Sequence, residues 1–334
     1  MAEKQYRVGI LGATGAVGRE MMKILEERNF PVSELRPLAS ERSEGKTLMF
    51  KGESVTVHKT DDNAFEGLDI VLGAAEKDIA VRYAPSIKAA GAVFVDNSNA
   101  FRMYPDVPLI VPEINPEDAK WHNGIISNPN CSTIITLMAC WPIAKLSPIK
   151  TMVASTYQAV SGAGVGGPRE LLAETEALVN GGKVEPKIFP HQIAYNLIPQ
   201  IGGFNADGYT SEEMKMQNEG RKIMHLPELL VTCTCVRVPV IRSHSISMTL
   251  VTEKKLDLDD VREAIASAPG CRLVDDIGTK LYPMPLDTSD QDLVWVGRIR
   301  RDLTNENGIT LWTVGDQVRK GAATNAVQIA ELLI

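Results

Sequence analysis

A single cysteine, Cys131, directly follows Asn128-Pro129-Asn130 and precedes Ser132, Thr133 and the apolar stretch ITLMACWPIA. Asn-Pro disfavours helix before the turn, while Ser132 and Thr133 open a helical run, so Cys131 is expected at a helix N-terminus. The dipole and free amides there lower a thiol's pKa and raise its thiolate fraction, the condition for a nucleophile. The alternative is a buried, inert cysteine, which is how Cys140, inside the apolar run, is read. A thiolate doing acyl chemistry also needs a proton acceptor and an oxyanion site. Among five histidines, His244 in RVPVIRSHSISM stands out, flanked by Ser243 and Ser245 and preceded by Arg237 and Arg242. His58, His122, His191 and His225 have less distinctive settings. Taken singly, His244 also fits an ordinary hydrogen-bonded histidine. Gln158 in YQAVSGAGVGG offers an amide able to orient a substrate, followed by glycines that either admit a cofactor or form a flexible turn. Cys233 and Cys235 alternate along a strand-like run with no second pair at zinc spacing, and Cys271 is isolated; all three read as structural, and no metal site is expected.

These groups need a scaffold. YRVGIL is a short apolar run suited to a buried parallel strand, and GATGAVGREMMKILEER carries Val17, Met21, Ile24 and Leu25 at helical spacing. Between strand and helix, Gly12, Gly15 and Gly18 allow a sharp turn and let a pyrophosphate approach the helix N-terminus. The order is G-x-x-G-x-x-G rather than the commoner G-x-G-x-x-G, and a plain structural turn is the alternative. The next apolar segment, ELRPLA, ends in SERS, where such folds meet the adenine ribose. Ser40, Arg42 and Ser43 suit a 2'-phosphate and hence NADP, Glu41 being the contrary sign because it could bind the hydroxyl of NAD. A solvated polar loop would also account for this segment. LDIVLGAA and GAVFVDNSNAF read as two more buried strands around the helical DIAVRYAPSIKAAG, giving a βαβ succession and a doubly wound sheet. From about residue 150 the texture becomes α+β, with KTMVASTYQAV, LVTCTCVRVPV and SISMTLVTE as strands. The expected division is a dinucleotide-binding domain over 1–130, a catalytic and dimerisation domain over 131–316, and a C-terminal helix 317–334 returning to the first domain.

A chain of 334 residues has room for about two domains. Its net charge of −7 provides no sequence-wide basic field, which argues against nucleic-acid or anionic-lipid partners. Neither a signal peptide nor a membrane span is read in the sequence. Five scattered cysteines fit free thiols in a reducing cytoplasm.

In order along the chain, GATGAVG, ASERS, DNSNAFRM, NPNCSTI, STYQAVSGAG, EEMKM, RVPVIRSHS and GDQVRKGAATNAVQIAE resemble the aspartate-β-semialdehyde dehydrogenase family over nearly the whole length. The resemblance implies Cys131 as nucleophile, His244 as acid/base, Gln158 as a substrate-positioning residue and Arg237 as partner of the substrate carboxylate. It implies Arg102 with Lys215 as the phosphate site, and Asn130 and Glu212, rather than Glu213, lining the same pocket. Thr14, Gly15, Ala16, Val17, Arg42, Ser43, Ser161, Gly162 and Gln317 match the family's NADP positions. The implied reaction is reductive dephosphorylation of L-4-aspartyl phosphate by NADPH through a cysteine thioester, in a homodimer on the route to lysine, methionine and threonine. Two alternatives are N-acetylglutamyl-phosphate reductase, whose cysteine motif normally runs closer to N-P-G-C-Y, and a dinucleotide-sensing protein without turnover.

Overall fold

The computed structural model describes residues 4–334. The chain divides into two compact units, Met1–Asn130 with Ala322–Ile334, and Cys131–Gly321.

In the first unit the strands are β1 (Tyr6–Leu11), β2 (Val32–Ala39), the hairpin β3 (Thr47–Phe50) and β4 (Glu53–Thr56), β5 (His58–Lys59), β6 (Ile70–Gly73), β7 (Val93–Asp96) and β8 (Ile125–Ser127). Helices α1 (Ala16–Glu27) and α2 (Lys77–Ala89) are the crossovers after β1 and β6. Six strands form one sheet in the order β5-β2-β1-β6-β7-β8, every neighbouring pair parallel. Parallel strands covered on both faces need apolar side chains in both directions. Ile70 and Leu72 accordingly join the layer under α1 and the C-terminal helix Thr324–Glu331, while Val71 joins the layer under α2. The strand order reverses between β1 and β6, and the crevice at their carboxyl ends is where such sheets bind ligands.

The second unit runs α3 (Cys131–Leu146), β9 (Ile149–Gln158), α4 (Gly166–Val179), α5 (Ser211–Ile223), β10 (Leu230–Arg237), β11 (His244–Thr252), α6 (Leu258–Ala266), β12 (Cys271–Leu273), α7 (Pro285–Thr288), β13 (Val294–Arg301) and β14 (Gly308–Gly315). Its mixed sheet has the order β10-β9-β11-β14-β13-β12. Helices α3, α5 and α6 pack on one face. Helix α3 is apolar all round, with Ile134, Leu137, Met138, Cys140 and Ile143 buried, as a helix in the middle of a core must be. Across the sheet, Val153 is exposed and the Tyr157 and Trp312 rings pack tilted, with centroids 5.5 Å apart.

Three expectations shift. The expected strand through GAVFVDNSNAF stops at Asp96, because the Asp96 carboxylate accepts from the Ser98 amide (3.0 Å) and hydroxyl (2.7 Å) and turns the chain. The C-terminal α-helix begins at Thr324, after a π-helical turn at Arg319–Ala323. Asp316 starts that turn by accepting from the Val318 and Arg319 amides, and Gln317 falls in the second unit, the division lying at 321/322. The β3–β4 hairpin and the strands β12 to β14 were not read from the sequence.

Candidate active site

Cys131 is the first residue of α3, and only its side chain breaks the burial of that end: Ser132 and Thr133 are fully buried, while Cys131 is partly exposed. Its α-carbon needs a glycine opposite, since a Cβ on Gly321 would stand 3.0 Å from the Cys131 Cβ. The other four cysteines are buried, and burial pushes the Cys140 thiol up. The Cys233 thiol is pushed up chiefly by its hydrogen bond with Cys235, whose sulphur lies 3.7 Å away, and then by burial.

Strands β9 and β10 run parallel with Gln158 and Arg237 in register at their carboxyl ends, so two polar side chains arrive together from separate segments. The Gln158 amide donates to Thr156 Oγ1 (3.2 Å) and to Glu212 Oε1 (3.3 Å). Glu212 also accepts from Ser132 Oγ (3.3 Å) and pairs with Lys215 Nζ (2.8 Å), tying α3, β9 and α5 together. Glu213 is spent elsewhere, in a capping box with Thr210 and on the Cys235 amide. Arg237 Nη1 donates to the Ala159 carbonyl at 2.7 Å, and the guanidinium lies over the Phe189 ring. Burial lowers its pKa; the Cys131 sulphur, Glu212 and Cys235 act in the opposite sense.

His244 begins β11 and has no exposed surface. Its Nδ1 accepts the Ala159 backbone N–H at 3.1 Å, and its buried Nε2 makes no hydrogen bond. Burial first, then the Arg237 charge, push its pKa down to about 3, with Glu212 opposing. Gly162 lies against it: a Cβ there would come within 2.7 Å of Arg237 Nη1 and 3.3 Å of His244 Nε2. Ser243, just before the ring, has a left-handed φ of 74°, and its N–H donates to Gln317 Oε1 at 2.8 Å. Gln317 is 3% exposed, and its amide nitrogen donates to Ser161 Oγ. Read as a cofactor residue from the resemblance, Gln317 has both ends of its amide engaged within the second unit.

In the first unit, Gly12 has φ 89°, and a Cβ on it would stand 2.8 Å from the Ala74 carbonyl oxygen. One on Gly18 would stand 2.4 Å from the Gly12 oxygen. Gly15 is the N-cap of α1, so Thr14, Gly15, Ala16 and Val17 bring the backbone itself to the carboxyl end of β1. A cavity of about 300 Å³ lies beside this turn, lined by Gly12, Ala39, Ser40, Glu41, Lys59 and Thr60 among others. This close-packed glycine cradle at a helix N-terminus, with Gly12 lining the cavity, fits a dinucleotide. At its far end Ser40 caps the 3₁₀ turn Glu41–Ser43; Ser43 is buried, and Ser40 and Arg42 are exposed. Glu41 is held by Lys59 Nζ at 2.9 Å, a pairing with no local sequence signal. Arg102 is buried, donating through Nε to the Asn128 carbonyl and through Nη2 to the Asn97 carbonyl, both at 2.9 Å. Asn130 is buried as well.

The second unit thus gathers Cys131, Gln158, Ser161, Gly162, Glu212, Lys215, Arg237, His244 and Gln317, and the first gathers Gly12, Thr14, Gly15, Ala16, Val17, Ser40, Arg42 and Ser43. Ser132 and Thr156, which hold Glu212 and Gln158, carried no sequence signal apart from proximity to the motifs. Among the described residues no group of three or more His, Cys, Asp or Glu side chains is placed to hold a metal, and no helix is long and apolar enough to cross a membrane.

A parallel-sheet nucleotide unit followed by a mixed-sheet unit with a thiol at a helix N-terminus is the arrangement of a dinucleotide-binding oxidoreductase with a cysteine nucleophile. The family model for the semialdehyde dehydrogenase NAD-binding domain matches residues 7–122, and that for the dimerisation domain matches residues 140–320. The chain is 52% identical to aspartate-semialdehyde dehydrogenase of Aquifex aeolicus, covering 98% of each chain. It is 50% identical to that of Synechocystis sp., covering 98% of this chain and 97% of the relative. The crystal structure of aspartate semialdehyde dehydrogenase II from Vibrio cholerae, complexed with ASA, superposes with a TM-score of 0.95 at 45% identity, covering 99% of this chain and 98% of that one. The chain belongs to the aspartate-semialdehyde dehydrogenase family.

Proposed function

We propose that this protein interconverts L-4-aspartyl phosphate and L-aspartate 4-semialdehyde with NADP(H) and inorganic phosphate, as a step of amino-acid biosynthesis. The observation that carries this reading is the convergence of Cys131, at the start of α3, with Gln158, Arg237 and His244 at the ends of three adjacent strands. The Cys131 thiolate attacks the acyl carbon and phosphate leaves, giving a thioester on the sulphur. Arg237, buried and aimed by the Ala159 carbonyl, holds the substrate carboxylate; Gln158, steadied by Thr156 and Glu212, orients the acyl group. When bound, the dinucleotide supplies the hydride in the reducing direction and takes it in the other. Gly12 to Val17 hold its pyrophosphate, and within the second unit Gln317 holds Ser161. Arg102 and Lys215 bind phosphate.

The aspartate names of the relatives rank N-acetylglutamyl phosphate below this substrate, and a set of polar groups aimed around a partly exposed thiol argues against a sensor without turnover. The test is reduction of NADP by the purified chain with each semialdehyde, with and without inorganic phosphate. Full-rate oxidation without phosphate, or preference for N-acetylglutamate semialdehyde, would overturn the reading. Arg102→Leu and Lys215→Ala should each raise the phosphate KM about tenfold or more, the value of one charge-assisted hydrogen bond.

NADP rather than NAD is favoured because Arg42 and the Ser40 and Ser43 hydroxyls suit a phosphate, while Glu41, the acid that would accept a ribose hydroxyl, is paired with Lys59. Arg42→Ala should raise the KM for NADPH by about tenfold to a hundredfold and leave that for NADH nearly unchanged. Equal effects on both cofactors would make Arg42 mere surface charge.

A second copy of the chain covers the open face of the mixed sheet, where Val153, Tyr157 and Trp312 stand opposite the helix layer. Sedimentation should give a dimer that Val153→Arg dissociates; a monomeric wild-type chain would remove this proposal.

A further inference from the structure

We propose that Glu170 and Glu174 of α4 are positioning residues for Arg237: their carboxylates hold the irregular segment 187–198, and that segment carries the ring and the backbone that fix where the guanidinium stands. The inference rests on the reading of Arg237 as holder of the substrate carboxylate and adds what aims it.

Residues 187–198 form neither helix nor strand apart from a single bridge at Ile198, yet Phe189, Ile193, Ala194 and Ile198 are buried. Such a stretch must find partners for its amides outside regular structure. Five of those amides meet two carboxylates. Glu170 Oε2 accepts the Lys187 N–H (2.9 Å) and the Ile188 N–H (2.6 Å), and its Oε1 accepts the Phe189 N–H (3.0 Å). One turn further along the helix, Glu174 Oε2 accepts the Ile193 and Ala194 N–H groups, both at 2.8 Å. Leu171 of the same helix joins Val160, Phe189, Ile193 and Ile198 in a small apolar cluster. Apolar contact is non-directional and only keeps the segment close; the charge-assisted bonds set its register, as a neighbouring strand would.

Both ends of the segment bear on Arg237. Near its start the Phe189 ring lies under the guanidinium, 5.8 Å from centroid to carbon, a cation–π contact that depends on where the ring is held. At its end Ile198 and Arg237 exchange two backbone hydrogen bonds, 3.0 and 2.8 Å, on the edge strand β10. The bond from Nη1 to the Ala159 carbonyl fixes one corner of the guanidinium, and a planar group held at one corner can still pivot; the ring restricts that pivot. The packing is close: a Cβ on Gly167 of α4 would stand 2.0 Å from the Val160 carbonyl oxygen and 3.3 Å from the Phe189 ring.

The two glutamates should answer differently to amide replacement. Glu170 uses both oxygens, so Glu170→Gln keeps an acceptor for Lys187 and Ile188 but sets an NH₂ against the Phe189 N–H, at the residue whose ring supports Arg237. Glu174 uses one oxygen for both its amides, and its Oε1 is buried without a hydrogen bond, so Glu174→Gln retains the acceptor that matters.

The test is steady-state oxidation of L-aspartate 4-semialdehyde and of an analogue lacking its carboxylate, on variants shown folded by circular dichroism. Glu170→Gln should raise KM for the semialdehyde about tenfold, the effect of one charge-assisted hydrogen bond, with kcat within about threefold and kcat/KM for the analogue within about twofold. Glu174→Ala should do the same, and Glu174→Gln should bring KM back to within about threefold of wild type. Phe189→Leu removes the ring but no backbone bond, so it carries the test if a glutamate variant does not fold; it should raise KM in the same carboxylate-dependent way. Equal losses for both substrates in these variants, a fall in kcat with KM unchanged, or Glu174→Gln as impaired as Glu174→Ala overturns the proposal. In an Arg237→Leu background Glu170→Gln should add nothing, and a further loss there also overturns it. Arg237→Leu alone reports on the underlying reading: equal loss for both substrates refutes Arg237 as the carboxylate's partner, whereas a carboxylate-selective loss, with Glu170→Gln and Phe189→Leu at the wild-type KM, refutes the positioning role and leaves that reading standing.

Discussion

Cys131→Ala is expected to lower semialdehyde oxidation by roughly four orders of magnitude or more, with NADP binding unchanged within about twofold. The two readouts separate because the thiol starts α3 in the unit Cys131–Gly321, whereas the glycine turn and its cavity belong to the unit containing Met1–Asn130. Nothing else can replace the nucleophile. Ser132, the next residue, is fully buried with its hydroxyl on Glu212, and Cys140 lies deep in the helix. Steady-state rates with fluorescence titration of the dinucleotide check this, and turnover above a hundredth of wild type would remove Cys131 from its role. By contrast, Cys140→Ala and Cys233→Ala delete packed core atoms and should show their effect in thermal unfolding rather than in rate.

The second large effect is expected at Arg237. Removing one partner of a buried, hydrogen-bonded charge pair costs about 2–5 kcal/mol, so Arg237→Leu should lower kcat/KM for the semialdehyde by roughly 30- to 5,000-fold. If the guanidinium binds the substrate carboxylate, the loss should shrink sharply for an analogue lacking that carboxylate, because the variant forfeits nothing there. Equal losses for both would show that Arg237 acts only through its Ala159 bond and the Phe189 ring, as part of the support for the loop beside His244.

Much of the scaffold was legible locally. In β1 the apolar side chains of Val8, Ile10 and Leu11 precede Gly12, and in α1 Met21, Ile24 and Leu25 recur on one face. A strand, a glycine turn and a helix therefore needed only neighbouring residues to be recognised. The placement of Cys131 was equally local, because Pro129 stops regular structure and the apolar run after it starts a helix. Strand ends were less legible: Asp96 terminates β7 through the Ser98 hydroxyl, a side-chain bond that competes with the ladder and leaves hydrophobic periodicity untouched.

What the linear chain determined, then, was which residue types stand at the ends of which elements, since period and turn chemistry depend on neighbours a few positions away. The tertiary structure decided what those residues do to one another. EEMKM leaves Glu212 and Glu213 equivalent until helix α5 aims one at Gln158 and Lys215 and uses the other as its cap. Glu41 stands in the sequence as the sign against NADP, and only the fold pairs it with Lys59 of β5. His244 shows no partner in the sequence, and only the fold ends β9 with the Ala159 N–H against its Nδ1, 85 positions away. Such pairings depend on sheet order and register, which are global outcomes of packing.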